Sequence, residues 1–239
     1  MVDNSGNKYL NELPSDKKKE VLIKLERIEK SVLSDDMPDV VKVFALNKYI
    51  TITSIYDSVN YYQKKAGKLE SLPDNDYSLY GIICRRMGVC SGITKAMCLL
   101  LERQNIECKY VSGKTHNSTG THAWNLVKLD GCWYALDVTW NLNSYYNALA
   151  RYNDLKNNFK KTEGQKKSEG ESLKQSMLAS QYKYFLLNDE EMKETREWDY
   201  SKYPKCETGP YSNGKYKLVL EHYERVGKKK VLGKIIWAL

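Results

Sequence analysis

The chain has 239 residues, of which 41% are hydrophobic and 28% are charged, and its formal net charge is +8. This composition is typical of a soluble globular protein with one sizeable core, and it excludes a disordered chain. No apolar run reaches the roughly 18 residues that span a bilayer, so we expect no transmembrane segment. Because the N-terminus has no signal-peptide pattern, we expect a cytoplasmic location for this chain, or an exported or cell-surface location if a signal has been trimmed.

The positive charge lies in separate lysine clusters, at 17–19, 160–167 and 228–230. No nucleic-acid-binding motif joins these clusters, so we interpret them as solvated faces and expect no specific nucleic-acid partner. A basic adaptor for anionic polymers is the alternative interpretation. The six cysteines have no Cys-x-x-Cys or Cys/His ligand spacing. We therefore expect reduced thiols, no metal site and no cofactor.

Helical periodicity characterises the first sixty residues. Pro14-Ser15-Asp16 is a helix-start signal, and a break at 34–38 precedes a second helix with Pro38 in its first turn. The segment 60–80 is rich in turn-forming residues and is predicted to be mostly loop.

Cys90 lies at the most distinctive point of the sequence, between Gly88 and Gly92. The residues that follow have the apolar spacing of a helix with one buried face: Ile93, Ala96, Met97, Leu100 and Leu101. A helix N-terminus presents unpaired N–H groups and partial positive charge, which favour a thiolate over a thiol. Cys90 is therefore a candidate nucleophile, and a small buried cysteine at a helix start is the alternative.

A β-hairpin gives the clearest strand signal in the chain. Residues 121–129 and 132–139 flank Asp130-Gly131, a dipeptide favoured in two-residue hairpin turns. In the register that this turn imposes, His122 and Asp137 are diagonal neighbours on one face of the hairpin. The opposite face is mainly apolar and is predicted to pack into the core. An imidazole beside a carboxylate, together with a cysteine at a helix start, provides the parts of a Cys-His-Asp nucleophilic site.

The character of the sequence changes after residue 141. Residues 156–174 are rich in Lys, Asn, Glu, Ser and Gly, and we predict a mobile or partly helical surface insertion there. Order resumes at 182–187, and the segments 216–223 and 231–237 are predicted to form a closing hairpin. We predict a single domain over 1–239 with four parts: a helical N-terminal part (8–60), a catalytic core (77–141), a surface insertion (about 142–180) and a C-terminal extension (181–239).

Four blocks of sequence together resemble the transglutaminase-like superfamily, in its bacterial branch related to papain-like cysteine proteases. The blocks are Gly88–Gly92, Thr121–Asn125, Asp130–Tyr134 and Leu136–Trp140. The resemblance covers about residues 35–141, with a further similarity from 184 to 206. It implies an α+β fold with a papain-like or transglutaminase-like core, in which the nucleophile lies at a helix N-terminus packed on an antiparallel sheet.

By that resemblance, Cys90 is the nucleophile, His122 the general base and acid, and Asp137 the orienting acid. Tyr56 is a possible oxyanion donor, with a core or rim tyrosine as the alternative, and Trp124 is a possible wall of the cleft.

The implied activity is thiol-dependent chemistry at amide bonds of a protein or peptide, through a thioester intermediate. Water resolves the thioester in a peptidase or amidase, and an amine resolves it in a transglutaminase. The triad chemistry is common to both, and hydrolysis is favoured here because water is the more abundant acceptor. The alternative in a different class is a catalytically inactive binding or scaffolding module that retains the fold. No pattern in the sequence indicates an oligomeric state.

Overall fold

Residues 7–116, 120–157 and 160–225 are described in the computed structural model. Two long N-terminal helices follow Pro14 and Pro38, whose extended backbone angles precede the first helical turn. The first of these helices buries Val21, Leu25 and Ile28 at helical spacing. The helices of this part are α1 (Lys8–Asn11), α2 (Ser15–Val32), α3 (Asp39–Thr53) and α4 (Ser58–Lys65).

The prediction that 60–80 is mostly loop is wrong at its start, because α4 continues to Lys65. Asp57 caps this helix by accepting a hydrogen bond from the backbone N–H of Asn60 at 3.0 Å. A short 3₁₀ turn (Asp74–Tyr77) and a π-helical turn (Gly81–Arg85) follow. Two short parallel strands, β1 (Ile55–Tyr56) and β2 (Met87–Gly88), then bring the chain to the cysteine.

Helix α5 (Cys90–Glu102) lies at the centre of the molecule, and it begins at Cys90 as predicted. Its residues from 92 to 101 are buried on every side except at Lys95, because α3 and the sheet pack against it. The predicted face is part of the main core, which also includes residues of α2, α3 and the sheet. A helix apolar almost all round is stable only when it is enclosed in this way.

A five-stranded antiparallel sheet packs against α5, with the strand order β6-β5-β4-β3-β7. The predicted hairpin turn is confirmed: Asp130 and Gly131 have positive φ angles of 48° and 80°, and Leu129 pairs with Cys132. The strands are β3 (Cys108–Thr115), β4 (Thr121–Leu129), β5 (Cys132–Leu136), β6 (Phe185–Leu187) and β7 (Arg196–Glu197).

The second strand of the hairpin ends three residues earlier than predicted. Asp137 leaves the sheet and caps helix α6 (Val138–Lys156), because its side chain accepts a hydrogen bond from the backbone N–H of Trp140 at 2.9 Å. Continuing the hairpin register would pair His122 with Thr139, but this pair is absent from the described ladder because Thr139 is helical. Asp137 reaches its position at the boundary between a strand and a helix.

Both faces of the hairpin are buried. Val127, Tyr134 and Leu136 lie in the main core, as predicted for the apolar face. On the other face, Trp124 and Leu126 belong to a second cluster with residues that follow β6: Met192, Trp198 and Cys206. The C-terminal part of the chain therefore covers the sheet face that carries His122.

The region predicted as a surface insertion is helical. It consists of most of α6 and of α7 (Glu163–Ser180), which pack along each other. A small cluster that includes Tyr145 and Met177 joins this pair to Ile52 of α3. None of the helices in the described ranges is long and apolar enough to cross a membrane.

The predicted closing hairpin is wrong in its first half. Residues Tyr216–Arg225 form helix α9, which buries Tyr216, Leu220 and Tyr223. Spacings of four and three residues place these side chains on one helical face, whereas strand alternation would separate them. The second half, 231–237, lies outside the described residues. The remaining elements here are α8 (Asp189–Lys193) and a 3₁₀ turn (Tyr200–Lys202).

Candidate active site

Cys90 is half-buried at the first position of α5, where two glycines allow the chain to approach closely. A Cβ on Gly92 would lie 2.6 Å from the carbonyl oxygen of Asp76 and 2.8 Å from that of Ser78. A Cβ on Gly88 would lie 3.0 Å from the same Asp76 oxygen. The glycines on either side of the cysteine are thus required for the 3₁₀ turn to pack against the start of α5, and this packing fixes the thiol.

His122 and Asp137 are in direct contact, with His122 Nε2 2.7 Å from Asp137 Oδ2. The pKa of the Asp137 carboxyl is lowered to about 2, because the opposing effect of burial is outweighed by the charges of His122 and Arg196 and by hydrogen bonds. An ionised carboxylate only accepts hydrogen bonds, so Nε2–H of His122 is the donor. Nδ1 is then the ring nitrogen left for the thiol, and His122 does form a hydrogen bond with Cys90.

The imidazole of His122 is more basic than a free histidine. Burial lowers its pKa, but the charge of Asp137, its hydrogen bond and the contact with Cys90 together raise the pKa to about 9. At neutral pH the imidazole therefore holds a proton easily. This property suits a group that takes the proton of a thiol and keeps it as imidazolium.

Asn125 connects the hairpin to the helix that begins at Cys90. Its Nδ2 donates to the backbone oxygen of Thr94, at 3.0 Å, and Thr94 in turn donates its hydroxyl hydrogen to the backbone oxygen of Cys90, at 2.8 Å. Asn125 is fully buried, so these bonds are not weakened by water. They fix the distance between β4, which carries His122, and the first turn of α5.

Arg196 is a site residue that the sequence analysis missed. Its side chain is fully buried, and both Nε (3.0 Å) and Nη2 donate to Asp137 Oδ2. The guanidinium carbon also lies 4.0 Å from the ring centre of Trp140 and 4.8 Å from that of Tyr184. No local motif marks this arginine, because its partner lies 59 residues earlier in the chain.

A cavity of about 610 Å³ opens over the proposed catalytic residues. Cys90 and His122 lie on its wall, together with tyrosines from the α4 region and the first turns of α6. A second cavity, of about 300 Å³, meets the first at Cys90 and extends towards Lys64, Lys65 and Tyr77. The half-buried thiol is therefore accessible from two sides.

Tyr56 and Trp124, the predicted oxyanion donor and cleft wall, occupy different positions relative to the cavities. Tyr56 lines both cavities, and burial together with the nearby Cys90 raises its pKa, so its phenol keeps a proton to donate. Trp124 is only 1% exposed and its ring stacks on His122 at 5.9 Å between ring centres. Trp124 packs between the imidazole of His122 and the ring of Trp198. Neither of the two cavities at Cys90 has Trp124 among its lining residues. The cleft-wall position expected for Trp124 is occupied by Trp140.

The comparison with protein families matches part of the chain. The profile described as the transglutaminase-like superfamily matches residues 26–138. This segment is a transglutaminase-like domain. It extends from the middle of α2 to the first residue of α6, and it includes the nucleophile helix, the hairpin and all three residues proposed for the triad.

Two solved structures are similar to part of this chain. One is described as a TGase, with 17% identity and a TM-score of 0.43 over 58% of this chain and 35% of that structure. The other is a provisionally assigned cysteine protease from Cytophaga hutchinsonii, with 20% identity and a TM-score of 0.38 over 54% and 44%. The chain thus spans less than half the length of either structure. A comparison with curated proteins gave no match.

The fold class predicted from the sequence is confirmed: the chain is α+β, with a transglutaminase-like core in which a cysteine at a helix N-terminus packs on an antiparallel sheet. The structure brings Cys90, His122 and Asp137 together around one imidazole. Their catalytic roles stay a prediction. Arg196, in contrast, lies outside the matched residues.

Proposed function

We propose that this chain is a thiol-dependent hydrolase of amide bonds in proteins or peptides, with a Cys90-His122-Asp137 triad. The observation that carries the proposal is the position of His122, which contacts the Asp137 carboxylate on one side and the Cys90 thiol on the other. The match of residues 26–138 to the transglutaminase-like superfamily supports a cysteine enzyme. The cavity over Cys90 supports access for a substrate.

The proposed reaction starts from a Cys90 thiolate beside the His122 imidazolium, a pair formed when the thiol proton moves to Nδ1. The thiolate sulfur attacks the amide carbon, and the carbonyl oxygen becomes an oxyanion. The N–H groups at the start of α5 and the phenol of Tyr56 are the proposed donors to this oxyanion. His122 then gives its proton to the leaving nitrogen as the C–N bond breaks, which leaves a thioester on Cys90.

In the second half of the reaction, His122 accepts a proton from water as the water oxygen attacks the thioester carbon. The C–S bond breaks, the acid product leaves and the proton returns to the Cys90 sulfur. Asp137 stays ionised throughout and holds the ring by its bond to Nε2. The carboxylate therefore orients the imidazole and stabilises its cationic form.

The charge of the smaller cavity favours water over a lysine amine as the acceptor. Lys64 and Lys65 lie on its wall, and the residues described there include no acidic side chain. An incoming ammonium group would be repelled by these two lysines, because like charges in a partly enclosed site interact unfavourably. Water carries no such penalty. Exchanging Lys64 and Lys65 for Glu is expected to increase amine incorporation relative to hydrolysis.

The first test measures the reactivity of the thiol in the intact protein. Iodoacetamide is expected to alkylate Cys90 at least about tenfold faster than Cys84, as mapped by peptide mass spectrometry. Cys84 is a matched control because it is also half-buried and free, whereas burial raises its pKa to about 11. Equal rates for the two cysteines would contradict the proposal and favour an inactive binding module.

The second test identifies the reaction. A glutamine-containing peptide library is incubated with and without a primary amine, and the products are separated by mass as cleaved, deamidated or amine-linked peptides. We expect cleavage or deamidation, and we expect Cys90→Ala to abolish it while Cys84→Ala retains it. Predominant amine-linked product would replace hydrolysis by transglutamination, and turnover that survives in Cys90→Ala would exclude the proposed triad.

A further inference from the structure

Arg196 is a buried charge that the proposed reaction does not use directly. Its guanidinium is fully buried, and within the described residues its charged partner is Asp137. Nη1 donates to the hydroxyl of Thr195 at 2.6 Å, so the side chain is held from both ends. A buried arginine is costly unless its charge and its donors are matched, which explains why it lies against a carboxylate and two aromatic rings.

The Asp137 carboxylate has a different set of donors on each oxygen. Oδ1 accepts from the backbone N–H of Trp140, and Oδ2 accepts from both His122 and Arg196. Four donated hydrogen bonds leave this carboxylate no freedom to rotate. The bonds from Trp140 and Arg196 hold the carboxylate in the orientation in which Oδ2 accepts from the imidazole of His122.

We propose that Arg196 is a positioning residue of the triad, which holds the Asp137 carboxylate against His122 and limits the negative charge that the imidazole faces. This proposal rests on the function proposed above. Two cations that share one oxygen repel each other, so Arg196 makes the imidazolium of His122 less stable than Asp137 alone would make it. A weaker hold on the proton assists its transfer to the leaving group.

The groups that face this centre come from six parts of the fold. They are Cys90 from α5, His122 from β4, Asp137 ahead of α6, Arg196 from β7, and the phenols of Tyr56 and Tyr184. Burial and the nearby Cys90 raise the pKa of the Tyr56 phenol, which stays neutral over the range in which an imidazole titrates. The charge balance at His122 is therefore set by the thiol, the carboxylate and the guanidinium.

The test compares Arg196→Met with Arg196→Lys by NMR titration of His122. With three histidines in the chain, its signal is assigned by its loss in a His122→Ala variant. Arg196→Met removes the second cation, so the His122 midpoint is expected to rise by about one unit or more. Arg196→Lys keeps the charge, so the midpoint is expected to stay within about half a unit of the wild-type value. An unchanged midpoint in Arg196→Met overturns the proposal.

A second measurement separates positioning from charge and covers the case in which Arg196→Met does not fold. The lysine cannot donate two parallel bonds to one oxygen, so alkylation of Cys90 in folded Arg196→Lys is expected to slow at least about tenfold. A wild-type rate in that variant overturns the positioning role.

The control is Arg103→Met, which breaks the ion pair of Arg103 with Glu29 at the opposite end of α5. This variant is expected to lose stability without moving the His122 midpoint. A shift as large as that of Arg196→Met would mean that general loosening of the fold is responsible, and the proposal would fail. Failure of the proposed function is distinguishable, because it appears as an unreactive Cys90 in the wild-type protein.

Discussion

Replacing Asp137 with Asn tests the electrostatics of the site most directly. The change keeps the side-chain shape and an oxygen that caps α6, and it removes the charge that holds the proton on His122. The imidazole stays buried, and burial favours its neutral form. Its pKa is therefore expected to fall from about 9 to below the ordinary value of 6.5.

The magnitude follows from the shift in the wild-type protein. A rise of the His122 pKa from 6.5 to about 9 corresponds to roughly 3 kcal/mol in favour of the folded protein. Because the folded pKa is the higher one, this contribution is complete below pH 6.5 and is lost as the pH rises through 9. The wild-type free energy of unfolding is thus expected to decrease over this window, while Asp137→Asn lacks that decrease.

The same substitution leaves Arg196 buried without its charged partner. Removing one member of a buried ion pair costs about 3–5 kcal/mol. Urea unfolding at pH 6 and pH 9, followed by tryptophan fluorescence, measures both effects. The control is Asp199→Asn, which changes an exposed carboxylate that pairs with Lys202 and should keep the wild-type pH dependence. The reasoning is refuted if Asp137→Asn unfolds with the wild-type stability and the wild-type slope against pH.

Three further substitutions test the positions around the thiol and the C-terminal helix. Gly92→Ala forces a Cβ to within 2.6 Å of a backbone oxygen, so it should lower the free energy of unfolding by about 1–3 kcal/mol and slow Cys90 alkylation. The control Gly164→Ala, with no atom within 4 Å of the added Cβ, should change neither the stability nor the alkylation rate. Tyr56→Phe should lower kcat by about 10²–10³ with little change in KM if its phenol meets the oxyanion, and an unchanged kcat would remove Tyr56 from that role. Leu220→Ala should cost about 2–5 kcal/mol in urea unfolding because Leu220 is buried in α9, whereas Leu218→Ala, on the exposed face of that helix, should unfold like the wild type.

The hairpin and the nucleophile helix could be predicted because their signals are local. Asp130-Gly131 dictates a two-residue turn, and the turn dictates the register between β4 and β5. The apolar spacing after Cys90 likewise dictates which face of α5 is buried. Together these local rules brought His122 near Asp137 in the sequence interpretation. The actual contact arises differently, because Asp137 ends the strand and caps α6.

The remaining features depend on contacts between distant parts of the chain. Arg196 lies in a two-residue strand that exists only because it pairs with β3, so its neighbours in sequence say nothing about its partner. The sequence predicts a hairpin strand at 216–223, a segment whose tyrosines are common in strands. Packing of Tyr216 against Phe185 and Tyr182 selects a helix instead. Tertiary contacts override local preference at both positions.

The place of Arg196 in the chain has a consequence for the order in which the site is completed. A polypeptide is synthesised from its N-terminus, and Cys90, His122 and Asp137 all emerge before the arginine that contacts the carboxylate. Until β7 pairs with β3, Asp137 lacks the guanidinium that donates to it, and one face of the hairpin is not covered by the C-terminal part of the chain. A nascent chain that has reached only the end of the transglutaminase-like segment therefore carries every proposed reactive group in an unfinished arrangement. The proposed positioning role of Arg196 therefore predicts a less reactive Cys90 thiol until the C-terminal part of the chain has folded.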